Sequence, residues 1–170
     1  MAHWALSRAH LLRGELEESK VAVETSIMLN PSFAIAQYSR GWVGLQLGEN
    51  QVCHDRIGFA RLLSPFDPLK FAMLGVLGLN LALMGRTDEA IELARQSLRQ
   101  ANAHYLVTAF AAVTHAVSGQ VEQAGRYLTR IRQVSPGFDA ADFLTVFQFQ
   151  RHWDRQRVRK AFRDMGKLAA

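Results

Sequence analysis

From residue 2 to residue 138 the apolar positions recur with helical period, in runs closed by fixed punctuation. In LNPSFAIAQYSRGWVGLQLGEN (29–50) an apolar run opens just after Asn-Pro and closes on Leu-Gly. Gly14, Gly48, Gly85 and Gly119 each follow such a run, at spacings of 34, 37 and 34. Pro31, Pro65, Asn102 and Pro136 follow those glycines by 17 residues each. A glycine supplies the left-handed residue that ends one helix, and a proline stops the next by removing a backbone donor. The pattern predicts helices over 2–12, 15–29, 32–47, 51–63, 68–84, 88–101, 104–118, 121–134, 140–149 and 154–168.

Small residues keep the same register. Seven before each glycine stand Ser7, Gly41, Gly78 and Ala112; five after it stand Ser19, Cys53, Ala90 and Ala124. Ser26, Ala60, Ser97 and Ile131 come twelve after, the last breaking the series. Small side chains at fixed places suit antiparallel helices that cross closely. Cys53 belongs to this series, which makes it a packed residue and not a nucleophile.

A two-helix unit of 34 residues with this Gly, Ala and Pro arrangement resembles the tetratricopeptide repeat. The resemblance implies an all-α, right-handed solenoid of about four helical hairpins, spanning 1–33, 34–70, 71–104 and 105–138, with two C-terminal helices in 139–170. The three extra residues fall in SPFDP (64–68), where Asp67 is expected to cap the next helix and Pro68 to open it. Met1 falls inside the first expected helix with little lead-in, which suggests a piece of a longer protein.

In that repeat type the first helix of each pair lines a concave wall. The resemblance therefore assigns Trp4, Arg8, Leu11, Tyr38, Trp42, Leu45, Leu79 and Val113 to a partner-binding groove, with Gly75, Ala82, Ala109 and Ala116 beside them. Family members that clamp a C-terminal carboxylate use Lys and Asn at such places, and this chain has neither there. An apolar groove in water calls for an occupant. Three fit: the Phe-rich segment ADFLTVFQF (141–149), a second copy giving a homodimer, or a partner's helix.

Charge changes the picture only at the C-terminus. The net charge is +5 over 170 residues, and the segment 151–170 holds seven Lys/Arg against Asp154 and Asp164, which accounts for all of it. Arg155, Arg159 and Arg163 form a basic row beside an apolar face of Val158, Phe162, Met165 and Leu168. The plain reading is an amphipathic capping helix; nucleic-acid contact is the alternative function, and an acidic partner domain a further one. The stretch ADFLTVFQFQRHWDRQRVRKAFRDMGKL, with LSPFDPLKFAMLGV, also resembles the closing segment of bacterial class III adenylate cyclases and of winged-helix transcriptional regulators. That resemblance implies a regulatory or assembly module, with the signalling domain elsewhere.

No phosphate-loop, dinucleotide, zinc-protease or nucleophile-elbow motif occurs, so no enzyme, catalytic residue, cofactor or metal site is expected. His3 and His10, seven apart, can share a helix face but have no nearby ligand set, and His115 is expected to pack. The single cysteine allows no internal disulfide and fits a reducing compartment, and no apolar run reaches the about 18 residues that span a bilayer. The chain is expected to be cytoplasmic and to work by protein–protein interaction or self-association.

Overall fold

The computed structural model describes residues 1–100 and 104–168. All regular secondary structure among them is helical, from α1 (Ala2–Arg13), α2 (Leu16–Leu29), α3 (Ala34–Leu47), α4 (Asn50–Leu63) and α5 (Lys70–Leu83) through α6 (Thr87–Leu98), α7 (Tyr105–Val117), α8 (Val121–Val134), α9 (Ala140–Val146) and α10 (His152–Gly166). The chain forms two compact units, Met1–Asp67 with α1–α4 and Pro68–Ala170 with α5–α10. Asn102 and the end of the helix expected over 88–101 lie outside the described residues.

One turn is built four times. Gly14 and Gly48 have φ of 80° and 77°, and Gly85 and Gly119 adopt the same left-handed conformation. The N–H of the following residue reaches back five positions: Glu15 to the His10 carbonyl at 3.0 Å, Glu49 to Gly44 at 2.7 Å, Arg86 to Leu81 at 2.9 Å and Gln120 to His115 at 2.8 Å. Each bond satisfies a carbonyl that the helix end would leave open. The prolines act differently. Asn30, Ser64 and Ser135, each just before a proline, have φ of −149°, −138° and −138°, because the proline ring excludes the helical region for its predecessor. So α2, α4 and α8 stop two residues before Pro31, Pro65 and Pro136.

The small residues meet across each hairpin. Ser7 and Ser19 are buried with their hydroxyls 3.0 Å apart, and the Ser19 hydroxyl donates to the Ser7 carbonyl at 2.9 Å. A Cβ on Gly41 would stand 2.5 Å from Ile57 Cγ1 and 3.1 Å from the Cys53 carbonyl oxygen. One on Gly78 would stand 3.2 Å from the Ala90 carbonyl oxygen. Ala112 and Ala124 are buried at the same register. Cys53 is fully buried, and burial pushes its thiol pKa well above the ordinary value, which keeps it protonated.

In the first unit α3 packs on α2 and, more lightly, on α1. Leu11, Leu16 and Val43 cluster beneath Trp42 and Leu47, while Val23, Ile27 and Ala36 cluster beneath Trp4 and Phe33. In the second unit α7 lies on α5 and α6, and α10 closes over α7 and α8. Gly125 of α8 makes room for that closure, since a Cβ there would stand 3.4 Å from Leu168 Cβ.

Two expectations are corrected. The helix of the third hairpin begins at Lys70, with Leu69 at its N-cap and no side-chain cap, so neither Asp67 nor Pro68 opens it. The helix expected over 140–149 ends at Val146, and Phe147 is extended at φ −115°. The reason is burial. Phe147 and Phe149 are both buried across a tight turn in which the Phe149 N–H donates to the Phe147 carbonyl at 3.0 Å; helical continuation would aim them to nearly opposite sides.

Glycine contacts give a paired test of the crossing. Gly41→Ala is expected to cost about 1–3 kcal/mol, since neither Ile57 nor the α4 backbone has room to yield. Gly58→Ala, in open space on α4, is expected to gain roughly 0.5–1 kcal/mol from helix propensity. Denaturant midpoints of the two variants check both signs.

Candidate interaction surfaces

The residues expected on a concave wall separate by burial. Leu11, Tyr38, Leu45, Leu79 and Val113 are buried, whereas Trp4, Arg8 and Trp42 are half-buried. These five thus present no open surface in their own units. Those still accessible form one array on α1 and α3. Trp4 Nε1 donates to Ser39 Oγ at 2.9 Å, and its ring meets Phe33 edge-on at 6.2 Å. The Arg8 guanidinium stands 5.9 Å from the Trp42 ring centre, and Trp42 meets Tyr38 edge-on at 5.9 Å. Such cation–π and edge contacts fix ring orientation, and Trp4 and Trp42 keep part of their surface accessible. Burial drives the Tyr38 phenol pKa far upward, so its hydroxyl stays neutral.

Polar side chains lock this array from behind. Arg40, on α3 and nearly buried, donates through Nε to Glu24 Oε1 at 2.7 Å and through Nη2 to Glu49 Oε2 at 2.6 Å. Lys20 Nζ reaches Glu49 Oε1 at 2.6 Å. The network ties α2 to α3 and to the start of α4. Burial pulls the Glu49 pKa up, but the bonds from Lys20 and Arg40 outweigh it and the carboxyl sits below its ordinary value. The bond to Glu49 is also the main reason that Lys20 is held above its ordinary value.

A second surface was not legible in the sequence. On the outer side of the first hairpin, His3, Leu6 and His10 of α1 face Glu17, Glu18, Val21, Ala22 and Thr25 of α2 across an open groove of about 520 Å³. Leu6 is 48% exposed and Val21 64% exposed. His3 and His10 thus share a face, and His10 Nδ1 lies 2.6 Å from Glu15 Oε2. The signal that could have found the groove is Leu6 and Val21, apolar at helix positions facing away from α3.

The C-terminal segments occupy α7. Phe143, Phe147 and Phe149 are buried, with Phe110 of α7 4.7 Å from Phe147 and 6.0 Å from Phe143 between ring centres. Phe143 also stacks on Phe147 at 5.0 Å and meets Phe162 of α10 at 5.8 Å. The Phe-rich segment therefore covers α7, one of the helices expected to line the wall. The irregular stretch after α9 hands two carbonyls to α10, where Arg155 Nη1 donates to Phe149 O at 2.7 Å and to Gln150 O at 3.1 Å.

The expected basic row is divided by this arrangement. Arg155 is half-buried and structural, while Arg159 and Arg163 are exposed. Val158, Phe162 and Met165 are buried as the apolar pattern requires, but Leu168 is exposed because α10 ends before it. His115 packs in α7, its Nδ1 2.8 Å from Gln120 Oε1, and burial lowers its pKa. Among the described residues no cluster of three His, Cys, Asp or Glu side chains could hold a metal ion, and no helix is long and apolar enough to cross a membrane.

Comparison with known proteins turns on shape. The chain superposes on the crystal structure of PilW, described as a widely conserved type IV pilus biogenesis factor, with a TM-score of 0.68 at 16% identity, over 98% of this chain and 77% of PilW. The fold is an all-α array of tetratricopeptide-type helical hairpins. No protein-family profile and no curated protein matches the sequence.

The ionic lock gives a pH test. A carboxyl held below its unfolded value contributes stability that is present above that value, 4.5, and lost as pH falls through the folded one. Wild type is expected to lose stability on acidification below pH 4.5 more steeply than Glu49→Gln, by urea unfolding at stepped pH. Parallel profiles would show that the lock does not hold Glu49.

Proposed function

We propose that the chain is a non-catalytic protein-interaction module and that the outer groove of its first hairpin receives an amphipathic helix of a partner protein. One observation carries the reading. Ala36, Arg40 and Val43 of α3 are buried, and α3 packs on α2. The residues 34 earlier, Ala2, Leu6 and Ala9 of α1, are exposed. Where the repeat covers that line, it covers it with a helix, so a helix has the shape to cover it here. The apolar floor of Leu6, Val21 and Ala22 and the polar rim of His3, His10, Glu17 and Glu18 suit an amphipathic one.

The half-buried strip of Trp4, Arg8 and Trp42 is the second contact in this reading, with Leu11, Tyr38, Leu45, Leu79 and Val113 as the packing behind such wall residues. Resemblance of the C-terminal stretch to the closing segments of cyclase- and winged-helix-linked repeats supports a bacterial signalling or transcription-regulatory role, in the cytoplasm. A second copy of the chain is the rival occupant.

A photo-crosslinking residue at position 6, compared with one at exposed position 130 on α8, tests this in cells of the source organism. The expected result is a discrete protein adduct from position 6 only. That protein, prepared pure, should bind the chain and lose at least tenfold in affinity (about 1.4 kcal/mol) with Val21→Asp. Trp42→Ala should weaken binding less. An adduct with the chain itself, together with dimerisation in sedimentation, gives the groove to a second copy. No position-specific adduct sinks the reading.

A further inference from the structure

We propose that the solvent face of α10 is a binding surface for single-stranded nucleic acid, with Trp153 as a stacking platform and Arg159, Lys160 and Arg163 tracking the phosphates. The helix has two distinct faces. Val158, Ala161, Phe162 and Met165 are buried beneath it. Trp153, Gln156, Arg157, Arg159, Lys160 and Arg163 line an open groove of about 440 Å³ on the other side.

Trp153 is 74% exposed, whereas Trp4 and Trp42 are half-buried and engaged by other rings or a cation. Folding leaves this indole in water although burying it would remove on the order of 150–250 Å². The cations around it are of two kinds. Arg157 is anchored, donating to Leu83 O at 2.6 Å and Ala82 O at 3.1 Å at the end of α5, where a helix terminus favours positive charge. Lys160 is bonded to Asp164. Arg159 and Arg163 bond no group among the described residues, and both also edge the neighbouring groove against α9. The one carboxylate in that groove, Asp139, already accepts from the N–H groups of Ala141 and Asp142.

Opposing charge is small. Of the two acids in 151–170, Asp154 is buried on the inner side and Asp164 is spent on Lys160. The surface thus holds the positive charge that the rest of the chain lacks, over the roughly 15 Å of helix from Trp153 to Arg163. Cations that track a backbone, with an aromatic face open beside them, are the general means of holding single strands without sequence preference. An acidic helix fits less well, because it would need an apolar ridge to cover the indole. A base needs only its flat face.

The test titrates the full chain into a labelled fifteen-nucleotide oligothymidylate at 25 and 200 mM salt, reading anisotropy and tryptophan quenching. Binding should weaken with salt on a log–log slope of about −2, as two or three phosphates are neutralised at roughly 0.7 each. Trp153→Ala should weaken it about tenfold at unchanged slope, a stacking loss. The double change Arg159→Ala, Arg163→Ala should cut the slope by about 1.4. All three side chains are exposed, and circular dichroism of each variant checks that the fold is kept. No binding at 25 mM salt overturns the proposal. So does a Trp153→Ala variant that binds as wild type, or a polyglutamate peptide of equal charge that binds as tightly as the oligonucleotide. Variants at Val21 should leave this binding unchanged, which separates it from the first-hairpin groove.

Discussion

The closeness with which two antiparallel helices cross governs this protein. At three crossings one small residue faces another twelve positions on: Ser7 and Ser19, Gly41 and Cys53, Gly78 and Ala90; Ala112 and Ala124 are buried at the same register. Where a glycine stands, the facing backbone lies near enough that a Cβ would touch it. Close approach brings the flanking apolar rows into contact, and those rows form the core. The left-handed glycine and the turn bond behind it serve the same end, because a longer connection would let the helices slide out of register.

A hairpin of this kind has two faces and can hide only one. The first unit handles its inner face with aromatic rings and an ionic lock. Arg40 is retained at a nearly buried place where an apolar residue would pack, and it is tolerated because Glu24 and Glu49 both receive its donors. Only the guanidinium has lost most of its water, while Glu24, Glu49 and Lys20 keep part of theirs, so the buried charge is compensated from partly solvated partners. On the outer face of the first hairpin Leu6 and Val21 stay in contact with solvent.

The second unit solves the same problem with its own tail. Seven residues of α9 and the turn after it bring Phe143 and Phe147 onto Phe110 of α7, Phe149 lies beside Phe147, and α10 adds Phe162 against Phe143. A short helix capped at Asp139 by its own box, then a break, sets the spacing that an unbroken helix could not. Sealing the inside commits the apolar face of α10 and leaves Arg159, Lys160 and Arg163 on the outward side. A structural closure and a basic surface are therefore two sides of one helix.

Much of this was legible in residue order. Helix period, the glycine and proline series and the small-residue register determined the hairpins and their turns, because each is a short-range matter of backbone conformation and of which side chains fit a crossing. The C-terminal balance of charge was equally plain. Tertiary structure decided the rest. It made Leu45, Leu79 and Val113 packing and left Trp4, Arg8 and Trp42 accessible, and it took Arg155 out of the basic row to serve two carbonyls. It also ended α9 early and exposed Leu6, Val21 and Trp153. The reason is physical: periodicity shows that a side chain is on the apolar stripe of its helix, but what covers that stripe depends on residues distant in sequence, and only their meeting in space decides it.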